Sequence, residues 1–560
     1  MISVSTAPER RRHILTVNLE DYFQVGPLSS FIPQKYWPHF ETRVERNTLA
    51  VLDLLDQHDI KATFFAVGWI ADQLGEFLAE ITLRGHEVAS KGYLHRSLDQ
   101  MTPEEFREDV VRSRKALERA CGQAVQGYRI ARGGFSERDV WALDILAEEG
   151  FIYDSSFWPL GRRLAHAPHQ RTLHKHQAGQ RVIWELPLSS WCCCGLCLPI
   201  SGGNYVRQLP IALTRWRMDR WTKNAAAPLI FYFHTWELDP EQPRIEALPW
   251  LSRIRQYRNL DAMRGRVEDC LSRYDFTSVA DYLDLEIRAA EIPAEVEPQE
   301  VARSTIRAKR QPITIVVPCF NESLVLPYSA KTLDSFARDY DDRYETSFIF
   351  VDDRSTDDTW ARLEKLFGDR KDCSLIRHDR NRGIAAGTLT GIHHASSEVV
   401  CVIDCDCSYE IQQLVKMIGL MGEGVDCVTA SPYHKDGSVV NVPAWRLFLS
   451  RGLSLLYRQL FNQKLATYTA CFRVYRRSAV DGIEVQDEGF IGIVEILAEL
   501  DRRGSNIVEA PVVLETRLFG RSKMKVIKAI CIHLKFLSKF LVQRRRKPQL
   551  ENMEIRNEFY

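Results

Sequence analysis

The feature that most limits how this chain can fold is a rhythm that occurs twice. Apolar, β-branched runs such as HILTVNL (13–19) and ATFFAVG (62–68) alternate with longer amphipathic stretches such as TPEEFREDVVRSRKALERA (102–120). The rhythm stops over residues 286–311, a stretch without an aromatic residue in which Glu, Ala, Pro and Arg alternate. Such a stretch buries little and reads as a linker. Beyond it the rhythm returns with ITIVVP (313–318), TSFIFVDD (346–353) and EVVCVIDCD (398–406). Short continuous apolar runs mark strands covered on both faces, and helical spacers between them supply the crossovers of a parallel sheet. Two α/β units are therefore expected, over residues 13–285 and 312–523. A chain of 560 residues is in any case too long for one hydrophobic core. The halves do not align, so a fusion rather than a duplication is expected.

Lys+Arg 74 balances Asp+Glu 74, which argues against nucleic acid as the partner. No apolar run approaches the roughly 18 residues of a membrane span. The start, MISVSTAPERRR, has charges without an apolar stretch after them, so no secretory signal is expected. The 14 cysteines fall in scattered singles, pairs and a triplet and are read as reduced thiols. Within WCCCGLC (191–197), Cys194 and Cys197 form C-x-x-C, but no second pair stands at zinc-finger spacing, and a loop of small residues is expected.

Open parallel sheets bind ligands beyond the carboxyl ends of their strands. In the later half three strands end in polar groups. VVPCFNE turns at Pro318 through Asn321 to Glu322, FIFVDDRSTDDT ends at Asp352 and Asp353, and VVCVIDCDCS ends at Asp404 and Asp406. Carboxylates at i and i+2 past a fraying strand face one side, and suit a hard divalent cation that also takes oxygens from a diphosphate.

In these motifs, together with NRGIAAGTLTGIHHA (381–395), YTACFRVYRR (468–477), EGFIGIVEILAEL (488–500) and LFGRSK (518–523), the half resembles a family 2 glycosyltransferase of the GT-A fold. Its nearest likeness is to the dolichyl-phosphate mannosyltransferase branch. The resemblance implies that Pro318, Glu322 and Asp353 line a nucleotide pocket and that Asp404 and Asp406 hold Mg2+ or Mn2+ against the donor diphosphate. It implies a nucleotide-sugar donor and a polyprenyl-phosphate or glycan acceptor. A lipid phosphate is ionised already and needs cations rather than a base. Arg446, Arg451, Arg517, Arg521 and Lys523 fit that need. Ala470 and Cys471 stand where the family often carries Gly or Ser. Residues 524–547 place Lys525, Lys528, Lys535 and Lys539 on one helical face and Ile527, Ile530, Leu534, Leu537 and Leu541 on the other. Such a helix either caps the domain or lies in the surface of an anionic membrane, and with Arg544, Arg545, Arg546 and Lys547 following, the membrane surface at the inner face is expected.

The earlier half orders HILTVNLEDYF (13–23), GHEVASKGYLH (85–95), GYRIARGGFS (127–136), GFIYDSS (150–156) and APLIFYFHTWELDPEQPR (227–244). In this it resembles a NodB-like polysaccharide deacetylase of the exopolysaccharide-cluster branch, a deformed (β/α) barrel. That family binds Zn2+ or a similar metal with one acidic residue and two histidines four apart, and uses a separate aspartate as base and a late histidine as acid. Here Asn18 stands for the base, Lys91 for the first histidine of the pair, and Ala131 for the proline of the arginine motif. Glu20 or Asp21, His95, Arg129, Asp154 and His234 remain. An ammonium repels a metal and an asparagine accepts no proton from water, so a hydrolytically silent domain is expected. Tyr22, Trp158, Trp191 and Trp236 offer faces for a glycan. The rival for the metal is His86, or a histidine of HAPHQRTLHKH (166–176), as substitute ligand. Rival readings of the whole chain are a bifunctional enzyme that also removes N-acetyl groups, and a non-enzymatic scaffold for exopolysaccharide synthesis.

Overall fold

The computed structural model describes residues 12–26, 28–29, 31–158, 172–193, 196–224, 227–245, 247–286, 290, 310–440, 444–515 and 532–538. The chain divides into two compact units. One comprises Met1–Trp37, Thr42–Pro243 and Leu248–Glu300, and the other Pro38–Glu41, Arg244–Ala247 and Val301–Tyr560.

In the first unit the strands are β1 (His13–Leu19), β2 (Thr63–Ala66), β3 (Glu87–Ser90), β4 (Gly127–Tyr128), β5 (Tyr153–Asp154), β6 (His174–Ala178), β7 (Arg181–Glu185), β8 (Ser190–Cys193), β9 (Leu196–Pro199), β10 (Ile230–His234) and β11 (Phe276–Thr277). One curled sheet runs in the order β10-β1-β2-β3-β4-β5-β7-β6, with β11 also on β1. Its pairs are parallel up to β7, and only β6 is antiparallel. β8 and β9 form a separate antiparallel ribbon. Every residue of β1 is buried, its polar His13, Thr16 and Asn18 as well as its apolar residues. Parallel register brings the ends of β1, β3, β4 and β10 to one edge, and the polar residues that follow them meet there.

In the second unit the strands are β12 (Gln311–Cys319), β13 (Tyr344–Asp352), β14 (Cys373–Arg377), β15 (Val399–Val402), β16 (Cys427–Ser431), β17 (Ser438–Val440), β18 (Arg473–Arg476), β19 (Ile507–Pro511) and β20 (Val513–Glu515). The main sheet runs β14-β13-β12-β15-β18-β16-β19, and β18 alone is antiparallel to its neighbours. Ile313, Ile315, Val317, Phe348, Phe350 and Cys401 pack into the core on one face. Val316, Ile349, Val351, Val400 and Val402 pack into the core on the other. The helix Ile384–His394 lies close on this sheet: a Cβ on Gly391 would stand 2.2 Å from Val316 Cγ1, so glycine sets the separation. Arg473 is fully buried in β18, where it donates to Ile493 O at 2.8 Å and Tyr468 O at 2.7 Å.

Among the described residues no helix is long and apolar enough to cross a membrane. Of residues 524–547 only 532–538 are described, as a helical segment. There Leu537 is buried, Leu534 is exposed, and His533 Nδ1 lies 2.7 Å from the Tyr457 hydroxyl. His533, Phe536 and Leu537 pack on the helix Ala444–Leu460.

Candidate functional site

In the second unit β12, β13 and β15 lie side by side, and each strand turns sharply at its carboxyl end. Asn321, Arg354 and Cys407, just past those ends, all have positive φ, at 53°, 59° and 50°. Left-handed non-glycine residues are uncommon and cluster at functional sites. Pro318, near the end of β12, and Glu322, past it, are half-buried. Asp353 follows β13, and its carboxylate accepts from the backbone N–H of Arg382 at 2.8 Å and of Gly383 at 2.7 Å, beside His378 Nδ1 at 2.8 Å. Asp353 thus orders the turn that opens the glycine-bearing helix. Its neighbour Asp352 is fully buried and paired with Arg377 Nε at 3.0 Å.

Asp404 and Asp406 are half-buried past β15. Asp406 Oδ1 accepts from Ser408 Oγ at 2.6 Å and from Ser408 N at 3.0 Å. The thiol of Cys471 hydrogen-bonds Asp404; burial first, and then the Asp404 charge, push that thiol well above its usual range. Two carboxylates on one strand end are hard oxygen donors. Among the described residues no third His, Cys, Asp or Glu completes a metal site there. Such donors are chemically compatible with a divalent cation. Arg451 is exposed, with its guanidinium 5.6 Å from the centroid of the Tyr433 ring. The Arg446 side chain, and Arg517, Arg521 and Lys523, lie outside the described residues.

In the first unit Glu20, Lys91, His95, Arg129 and His234 are brought together on the wall of one cavity of about 510 Å³. Glu20 is the hub. Lys91 Nζ donates to its Oε1 at 2.8 Å, His95 Nε2 lies 2.5 Å from its Oε2, and His234 Nδ1 meets Oε1. Burial pushes the Glu20 carboxyl up, but the charges of Lys91, His95 and His234 hold it well below the usual carboxylate range. With its Nδ1 turned to Glu20, His234 presents Nε2 to the Asn18 amide, 3.4 Å away. Arg129 Nη1 donates to Thr16 Oγ1 at 3.0 Å and Asn18 Oδ1 at 3.2 Å, and its Nη2 donates to Ser155 Oγ at 2.8 Å.

Two residues grouped with these by sequence sit elsewhere. Asp21 accepts from the backbone N–H of Tyr22, Arg43 and Val44 and so caps the helix Val44–Gln57; burial pushes its carboxyl up to about 7. Asp154 is fully buried against Ser156, whose hydroxyl donates to it at 2.6 Å. His86 is buried away from the cavity and accepts from Ala62 N at 3.1 Å, while His174 and His176 lie on β6. His166 and His169 lie outside the described residues. Trp158 and Trp236 line the cavity; Tyr22 is buried against Phe23, and Trp191 packs edge-on to Trp216.

The residues of the first unit do not fit a resident metal. An ammonium already occupies the acidic residue that would ligate it, and no group of three suitable ligands exists among the described residues. One further correction concerns the cysteines. Cys197 is disulfide-bonded, so the expectation of uniformly reduced thiols fails there, whereas Cys319, Cys401, Cys405, Cys407, Cys427 and Cys471 are free. Cys194 lies outside the described residues.

Sequence reading passed over Arg207, Glu237, Arg132 and Arg255. Glu237 stands within HTWELDPEQPR and accepts from His234 N at 3.0 Å and from Arg207 Nε at 3.2 Å. Arg132 stands within GYRIARGGFS, whereas Arg207 and Arg255 lie on stretches with no local signature, and only the fold brings those two to the cavity.

Comparison with known proteins separates the halves in the same way. Residues 34–148 match the family model for polysaccharide deacetylase, residues 155–284 a domain of unknown function (DUF3473), and residues 314–483 glycosyl transferase family 2. The chain is 27% identical over 215 residues to the dolichol-phosphate mannosyltransferase of Pyrococcus furiosus, which is 38% of this chain and 59% of that protein. It is 26% identical over 228 residues to the polyprenol monophosphomannose synthase of Mycolicibacterium smegmatis, covering 40% of this chain and 83% of that one. Among solved structures, glucosyl-3-phosphoglycerate synthase from Mycobacterium tuberculosis in complex with Mn2+, UDP and glucosyl-3-phosphoglycerate is 18% identical, with a TM-score of 0.32 over 42% of this chain and 81% of that one. The chain thus carries two unlike halves, one similar to polysaccharide deacetylases over residues 34–148 and one similar to family 2 glycosyltransferases over residues 314–483.

Proposed function

We propose that the protein transfers a sugar from a nucleoside-diphosphate donor to a polyprenyl-phosphate acceptor or a glycan, with residues 312–523 as the transferring domain. What supports the reading is that Glu322, Asp353 and the pair Asp404 and Asp406 follow the carboxyl ends of three adjacent parallel strands of one sheet. Pro318, Glu322 and Asp353 take the nucleotide. Asp353 does so through the turn that it orders, since two backbone N–H groups and His378 are already committed to it. Asp404 and Asp406 would hold Mg2+ or Mn2+, which when bound offsets the charge that grows on the departing nucleoside diphosphate.

The acceptor side needs no general base if the acceptor is a phosphate, because its oxygen is ionised near neutral pH. Arg446, Arg451, Arg517, Arg521 and Lys523 are the cations assigned to it, and residues 524–547 the segment that lies on the anionic inner face of the membrane. The names of the Pyrococcus and Mycolicibacterium relatives support a lipid-phosphate acceptor. Donor hydrolysis or transfer, measured with Mn2+ and a panel of nucleotide sugars with and without polyprenyl phosphate, tests the reading. Wild-type activity absent from an Asp404→Ala/Asp406→Ala double variant is the expected result.

For residues 13–285 the reading is a saccharide-holding domain without hydrolysis. Lys91 on Glu20 and Asn18 beside His234 support it, because neither metal-bound water nor a base to deprotonate it can be assembled from these groups. Acetate release from N-acetylhexosamine oligomers in the presence of Zn2+ tests it, and none is expected.

A further inference from the structure

The cavity of the first unit is strongly biased in charge. Lys91, Arg129, Arg132, Arg207 and Arg255 line it, against Glu20 and Glu237 as the only carboxylates among its lining residues. Lys91 is matched by Glu20, and Arg207 by Glu237 at 3.2 Å. Among the described residues Arg129, Arg132 and Arg255 form no ion pair. Arg129 is the informative one, since its side chain is buried and its partners are the neutral oxygens of Thr16, Asn18 and Ser155. A buried cation without a counter-charge is costly and is retained where something compensates it. Asp154 and Glu185 act on Arg129 only through space, and burial drives both of their carboxyls toward the protonated form.

The same wall carries unused hydrogen-bonding groups. The Nε1 groups of Trp158 and Trp236, His95 Nδ1 and Asn204 Oδ1 are buried and find no hydrogen-bond partner among the described residues. Trp236 and His95 are themselves more than nine-tenths buried. Donors outnumber acceptors among them, indole faces stand beside them, and the volume is that of a small-ligand site. A hydroxyl-rich ring satisfies the indole N–H groups and the amide oxygen, but a neutral one leaves the buried Arg129 guanidinium without a counter-charge.

We propose that this cavity binds an anionic saccharide, whose carboxylate or phosphate is taken by Arg129, Arg132 and Arg255 and whose ring hydroxyls are taken by Trp158, Trp236 and Asn204. The inference rests on the reading of this unit as a holder of saccharide and adds the class of its ligand. The protein is then charge-selective at its first unit, and the polymer or precursor that it handles is acidic.

Calorimetric titration of the full chain with hexuronic-acid oligomers, neutral N-acetylhexosamine oligomers and a hexose 1-phosphate tests this, at low and at high salt. Hexuronate or hexose-phosphate binding should exceed neutral binding by about tenfold or more and weaken with salt. Which of the two probes binds identifies carboxylate or phosphate as the source. An Arg132→Gln/Arg255→Gln double variant, altered at positions that are not fully buried, should lose about tenfold in that affinity while its circular dichroism is unchanged. Neutral and charged probes binding equally, no charged probe binding at all, or a double variant indistinguishable from wild type would each overturn the proposal. Zn2+-dependent acetate release from the same oligomers would instead overturn the underlying reading of a non-hydrolytic unit, and is scored separately from affinity.

Discussion

Lys91 and Glu20 are both nearly inaccessible, with 3% and 1% of their side chains exposed, so each gives up its hydration for the other. A buried pair of this kind adds little compared with apolar residues of the same volume, yet removing one partner strands a charge. Lys91→Ala should therefore destabilise the first unit by about 3–5 kcal/mol, read from denaturant unfolding. A change below about 1 kcal/mol would show that His95 and His234 suffice for Glu20. His86 makes the pH dependence explicit. Burial pushes its imidazole down to about 4, so the unfolded chain binds a proton that the native chain excludes. Stability from this group is complete above the unfolded value of roughly 6.5 and is lost as pH falls toward 4, by about 3 kcal/mol. His86→Asn, whose carbonyl can still accept the Ala62 N–H, should flatten the stability profile over that window.

At the scale of elements, the buried strands were plain in the sequence because both faces of each sheet are covered, which writes them as continuous apolar runs. Asn18 and Lys91 were legible too, since each stands inside a recognisable strand end. What stayed hidden depended on distant pairing. Asp353 is tied to Arg382 and Gly383 some 30 residues on, and Asp21 and Glu20, adjacent in sequence, serve a helix cap and the cavity respectively. Arg473 carried no sign of burial, because its carbonyl partners are supplied by other elements. The Gly391 contact is a test of how tightly the helix Ile384–His394 is seated. Gly391→Ala should cost about 1–3 kcal/mol, and Val316→Ala in the same chain should recover part of that loss. Gly383 has φ of 110° and leaves 2.4 Å between a built Cβ and Glu488 O. Gly383→Ala should accordingly displace the turn on Asp353 and raise the KM for the donor more than it lowers kcat.

For the whole molecule, net charge of zero conceals two opposite local fields. The second unit gathers carboxylates at strand ends, which call for a cation, and the first gathers guanidinium groups around a cavity, which call for an anion. Metal demand should follow this division. A chelator is expected to stop sugar transfer, and Mn2+ to restore it, whereas the unfolding midpoint of a unit held by the Glu20–Lys91 pair should not respond to Zn2+. A Zn2+-dependent rise in that midpoint would mean that the ammonium yields its place to a metal. The measurement that bears most directly on the central claim is transfer of labelled sugar to polyprenyl phosphate by the wild type and by the Asp404→Ala/Asp406→Ala variant, side by side with Mn2+. Transfer by the wild type and a loss of at least about a hundredfold in the variant are expected. Equal rates from the two proteins would contradict the claim.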